Sequence, residues 1–150
     1  MRKYLLLLAP LLLAGCVKQS ASYSLSEERD HALSVRAEQE YLWDKNITLS
    51  LVAANLPECQ RAVPLEKVHQ DDVAVELFRS GETVFNIRSG EELVQLDMQS
   101  CTRLADPAPT ELGEAVGVFR LGDGNKMQFE AAETAAPATP PATRSAPDAE

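Results

Sequence analysis

His69, Asp71 and Asp72 stand together in the segment VHQDD, and an imidazole beside two carboxylates is a residue set that acid–base or metal chemistry uses. Adjacent surface acids more often form a solvated approach to a strand, and that is the reading we carry forward. His31 and His69 are the chain's two histidines, and neither has a partner at metal-ligand spacing. Serines are plentiful, yet none sits in a G-x-S-x-G elbow. In Gly122-Asp123-Gly124-Asn125 only Asp123 and Asn125 match the alternating ligands of a calcium loop. The remaining reactive groups are three thiols, Cys16, Cys59 and Cys101, an odd number.

The first thiol has a telling context. Arg2 and Lys3 precede Tyr4–Leu13, an uncharged run of ten residues. At 1.5 Å per residue such a run is too short to span about 30 Å of hydrocarbon. It matches the apolar region of a secretory signal peptide. Leu13-Ala14-Gly15-Cys16 then resembles the lipobox of bacterial lipoproteins. That resemblance covers about the first sixteen residues. It implies cleavage before Cys16, a diacylglycerol thioether on its sulfur and an acyl group on the new amino terminus. Several chains matter, because one acyl chain alone gives marginal, reversible binding. Residues 1–15 are thus expected to be the signal peptide, with Cys16 the lipidation site. Val17-Lys18, with no Asp after the cysteine, resembles the outer-membrane default of enteric lipoproteins, facing the periplasm. In such a bacterial chain the sequon Asn46-Ile47-Thr48 is taken as chance.

With Cys16 lipidated, an even pair remains in an oxidising compartment, and Cys59–Cys101 is expected to be a structural disulfide. The two are too far apart in sequence for a C-x-x-C redox motif. Arg61 and Arg103, each two residues after a cysteine, would put a basic spot beside the link.

Residues 16–150 number 135, enough for one domain, with 12 basic against 23 acidic residues and a net charge of −11. That charge repels phosphate backbones, so no nucleic-acid partner is expected. It equally disfavours adhesion to anionic lipid apart from the anchor. Basic partners would be steered in, although scattered acids are usually there for solubility.

The elements that must position these residues follow from period-2 alternation. Leu33, Val35 and Ala37 alternate with polar residues, as do Ile47, Leu49, Leu51 and Ala53. So do Val73, Val75 and Leu77, and Val94, Leu96 and Met98. The repeated RSGE at Arg79–Glu82 and Arg88–Glu91 predicts two similar turns and a meander over 72–78, 83–88 and 92–98. Segments 115–121 and 126–130 read as a last hairpin closed by Gly122–Asn125. Residues 102–114, with Pro107 and Pro109, read as a loop. Ser24 and Glu27 have capping-box spacing, so a helix over 26–42 ranks second to a strand. The expectation is an all-β fold: a small antiparallel barrel or sandwich of about seven short strands over residues 31–130. Residues 16–30 are expected to be a polar tether. Residues 131–150, rich in Ala and Pro, are expected to be a disordered tail, either a spacer toward peptidoglycan or an unselected end.

Tyr41 and Trp43, in EYLWDK, are candidate contact residues, because Tyr and Trp carry binding energy well. For Trp43 the preferred expectation is a plug at the end of the core. The stretch from Trp43 through Leu56-Pro57-Glu58-Cys59 to Cys101 and GVFRLGDG resembles small proteobacterial lipoproteins of unestablished role, a resemblance that carries no functional residue. The expected function is therefore a non-enzymatic, lipid-anchored envelope module without cofactor or metal, with an envelope protein as candidate partner. The alternatives are a periplasmic inhibitor or sequestrant that captures a basic protein, and an enzyme working around His69, Asp71 and Asp72.

Overall fold

The structure is a computed structural model that describes residues 17–27 and 29–133. The expected signal peptide, Cys16 and the tail from residue 134 onward lie outside the described residues. Among those residues, ten strands make two antiparallel sheets. The first contains β1 (Val17–Ser24), β2 (His31–Gln39), β3 (Asn46–Asn55) and β4 (Cys59–His69), paired in chain order. The second contains β5 (Ala74–Arg79), β6 (Val84–Ser89), β7 (Glu92–Asp97), β8 (Thr102–Arg103), β9 (Glu114–Leu121) and β10 (Met127–Ala131). Its spatial order is β10-β9-β5-β6-β7-β8.

The alternating residues do what period 2 requires. Leu33, Val35 and Ala37 from β2 and Leu49, Leu51 and Ala53 from β3 face Val75, Leu77, Phe85, Ile87, Val94 and Leu96 of the other sheet in one core. Each fully buried aliphatic or aromatic side chain of this kind contributes roughly 1.5–3 kcal/mol. All seven expected strands are present, and the segment for which a helix ranked second holds β2. Of the two RSGE turns, only the second uses a glycine at positive φ, Gly90 at 60°.

The strands that alternation did not announce are β1, β4 and β8. Residues 16–30 are not a tether throughout: Val17–Ser24 pairs along its whole length with β2, from Val17↔Gln39 to Ser24↔Ala32. Its inward set is Val17, Gln19, Ala21 and Tyr23, of which only Tyr23 is large. Val17–Ser24 is therefore part of the sheet, well before residue 31. At the domain's other end β10 reaches Ala131, one residue into the expected tail. Strand β4 hides its pattern because a bulge lies opposite Thr48–Ser50, and because Pro64 interrupts the run. Proline is tolerated there since β4 is an edge strand.

Both seams between the sheets are closed. On one side β1 lies beside β10, and the Tyr23 ring packs against Phe129 at 5.2 Å and edge-on to Phe85 at 6.3 Å. Arg79 donates a hydrogen bond to the Tyr23 hydroxyl at 3.1 Å. On the other side the Cys59–Cys101 disulfide joins the start of β4 to the turn before β8. Asn55 Nδ2 donates to the Gln99 carbonyl at 2.9 Å, and the Glu66 N–H donates to Glu92 Oε2 at 2.9 Å. The 104–113 loop covers part of the second sheet's outer face. Fully buried Asn86 accepts from Gln95 Nε2 and donates to the Leu112 carbonyl, both at 2.8 Å. Gly113, at φ 94°, is required there, since a Cβ would stand 2.2 Å from the Arg79 carbonyl oxygen.

Two outcomes test this account. Replacing both Cys59 and Cys101 by Ala removes a link across 42 residues. It should cost about 2–4 kcal/mol in urea unfolding. Asn86→Ala leaves the Leu112 carbonyl and the Gln95 amide without their buried partner. It should cost about 1–3 kcal/mol, with faster hydrogen exchange confined to residues 104–113 and the strands beneath.

Candidate contact site at the β2–β3 tip

The connection between β2 and β3 projects three apolar side chains into solvent. Trp43 is 75% exposed, Leu42 62% and Tyr41 49%. This overturns the expectation that Trp43 plugs the core. The physical reason lies in the local backbone: the Asp44 N–H donates to the Tyr41 carbonyl at 3.0 Å. That bond makes residues 41–44 a β-turn with Leu42 and Trp43 at its corner. A corner residue points away from both sheets. The Tyr41 and Trp43 rings stack on each other, 5.2 Å between centroids and 13° between planes.

Polar groups hold the turn from below. Gln39 Nε2 donates to the Asp44 carbonyl at 2.6 Å. Asp44 Oδ1 accepts from both the backbone N–H and the side-chain amide of Asn46, each at 2.9 Å. Lys67 on β4 reaches Asp44 Oδ2 at 3.7 Å, and the Gln70 N–H donates to the Lys45 carbonyl at 2.8 Å. The Asn46 backbone N–H, helped by its side chain and by Lys67, holds the Asp44 carboxyl below its ordinary value of 3.8. The tip is thus built in advance of any contact, which lowers the ordering cost of making one.

The site residues named from sequence fall in different places. Cys16 lies outside the described residues, one position before Val17. Cys59 and Cys101 form the disulfide at the opposite end of the sandwich. His69 caps the short 3-10 turn at Gln70–Asp72: its Nδ1 accepts from the Asp71 N–H at 3.4 Å and lies 3.4 Å from Asp71 Oδ2. That is a cap on an open surface, with the Asp71 side chain 75% exposed. Asp123 and Asn125 belong to the β9–β10 turn, where Gly124 and Asn125 adopt positive φ. No group of three or more His, Cys, Asp or Glu side chains placed to hold a metal occurs among the described residues. Arg103 pairs with Asp106 at 3.1 Å, so the expected basic spot beside the disulfide is partly neutralised.

Sequence reasoning found the two rings but missed the four residues that aim them, Gln39, Asp44, Asn46 and Lys67. The Asp44-Lys45-Asn46 spacing was the available signal, since an Asp side chain that accepts from the second residue on forms an Asx-turn. No protein-family model, curated protein or solved structure matches this chain.

Asp44→Ala should weaken the near-UV circular dichroism of the stacked pair while the far-UV unfolding midpoint hardly moves. A carboxyl whose pKa is lowered on folding contributes above its unfolded value and loses that contribution as pH falls through the folded one. The unchanged protein should therefore keep the signal at neutral pH and lose it only below about pH 4.

Proposed function

We propose that this chain is a lipid-anchored, periplasm-facing envelope lipoprotein, held at the outer membrane through Cys16, whose β-sandwich is a non-enzymatic binding or structural module. The observation that carries the reading is the tip: two stacked aromatic rings and a leucine, exposed together and pre-set by Asp44 and Gln39. Contiguous exposed apolar groups mark interaction sites, and Trp and Tyr carry a large share of the energy at such contacts. The lipobox at Leu13–Cys16 supplies the address. Strand β1 adds support, because its pairing with β2 starts one residue after Cys16 and leaves no long tether between anchor and domain. Contact through apolar rings fits this tip better than capture of a basic protein by charge.

The test has two halves. Mass spectrometry of the mature protein from envelope membranes should find Cys16 as the first residue, carrying thioether-linked diacylglycerol. An unmodified terminus, or a protein released by salt washing, overturns the anchor. A photo-cross-linking amino acid at Leu42 in living cells should capture one defined envelope component, lipid or protein. Labelling by solvent alone overturns the contact.

A further inference from the structure

Resting on that reading of Cys16, we propose that the Tyr41–Leu42–Trp43 tip is seated in the interfacial layer of the same bilayer leaflet that holds the anchor, a layer of zwitterionic phospholipid.

The register supplies the first argument. Val17 is paired with Gln39, two residues before Tyr41. Cys16 precedes Val17 by one peptide bond, so its Cα is about 3.8 Å from that of Val17. A lipid on Cys16 must enter the bilayer at the end of the sandwich that carries the tip. The β9–β10 turn belongs to this end too, for Asn125 lines the same small gap as Val17 and Gln39. The disulfide, Leu56 and the β5–β6 turn lie at the other end.

The chemistry of the tip fits that location. Trp and Tyr concentrate at membrane–water interfaces, where an apolar ring and a polar edge are both satisfied. Leu42 adds an aliphatic group to the same corner, and residues seated this way reach about 5–10 Å into the headgroup boundary.

Charge supplies the third argument. The four lysines that follow Cys16 are Lys18, Lys45, Lys67 and Lys126, and all four fall at this end. Lys18 and Lys67 pair with Glu38 and Asp44 at 3.2 and 3.7 Å, and the long stems of Lys45 and Lys126 let an ammonium reach phosphate while the backbone stays outside. Glu38, Glu40, Asp44, Asp71, Asp72 and Asp123 share the end and outnumber the lysines, so net attraction to anionic lipid does not drive the contact. A zwitterionic headgroup has a phosphate for the lysines and an ammonium for the acids. Acyl chains on Cys16 alone would leave the domain free to swivel. A second apolar point on the adjoining strand connection fixes its orientation.

Trp43 is the chain's only tryptophan, which makes the test direct. The full lipidated protein is reconstituted in phosphatidylethanolamine–phosphatidylcholine vesicles with nitroxide lipids labelled either at the glycerol level or at the acyl-chain end. Expected are a blue shift of Trp43 emission and stronger quenching by the shallow label, both insensitive to salt. Leu42→Asp, at an exposed position, should reduce the quenching while Cys16 stays acylated by mass spectrometry. A Trp43→Phe, Leu56→Trp variant places the reporter at the far end and should remain unquenched. Solvent-like emission from Trp43 on a protein whose Cys16 is acylated overturns the seat and leaves the anchor standing. Equal quenching at positions 43 and 56 also overturns it, because the domain then has no fixed orientation. An unacylated Cys16 overturns the anchor and with it this inference.

Discussion

Two sheets that share a mostly aliphatic core must be held together along both open seams, and the rest of this structure depends on how the seams are closed. One closure is apolar. Tyr23, Phe129, Phe85 and Phe119 form a cluster where β1 meets β10. The other is covalent and polar, the Cys59–Cys101 link with the Asn55–Gln99 hydrogen bond beside it and the Glu66–Glu92 bond farther along the seam. The disulfide limits the unfolded ensemble, whereas the aromatic seam acts in the folded state alone. Because Tyr23 sits on β1, the apolar closure also recruits the segment next to Cys16 into the sheet. The same contact that completes the core thereby leaves a single peptide bond between Cys16 and a paired strand.

That geometry changes what the tip can do. A domain on a flexible tether samples a large volume, and an exposed aromatic pair on it meets soluble partners and lipid alike. With β1 paired from Val17 onward, the tip is held close to the position from which the lipid would emerge. The outer faces of the sheets carry ordinary surface chemistry. On the second sheet Glu76 pairs with Arg88, which holds the Glu76 carboxyl below its ordinary value, and Arg120 approaches Glu130 at 3.7 Å. Such half-exposed pairs are worth at most about 1 kcal/mol each, too little to position a functional group. The hydrogen bonds under the tip differ, because they converge on one turn.

How much was legible depended on whether a residue's role was local. Leu33, Leu51, Val75 and Leu96 announce their strands through their own neighbours, since alternation needs nothing from afar. Val17–Ser24 does not. Gln19 and Ala21 face inward only because β2 supplies eight partners and the second sheet a roof. Strand β4 was obscured by Pro64 and by a bulge, which shifts the inward phase partway along. Val116 shows the same effect in β9. A register shift beside Leu77 and Phe78 lets Val116 and Phe119, three apart, both point to the core. Trp43 was misjudged because composition favours burying a large ring, while a turn's corner direction is set by one hydrogen bond from Asp44.

By itself the sequence determined the all-β class, the seven alternating strands, the eligibility of Cys59 and Cys101 to pair, and the resemblance of Leu13–Cys16 to a lipobox. Each of these is a property of residues within a few positions of one another, or of a simple count. Only the tertiary structure decided that Val17–Ser24 is a strand, that the Tyr41–Trp43 pair is exposed, and that the tip lies at the end where Cys16 joins the domain. Those facts are registers and directions between segments distant along the chain. They are set by which side chains share a core, and no local pattern encodes that.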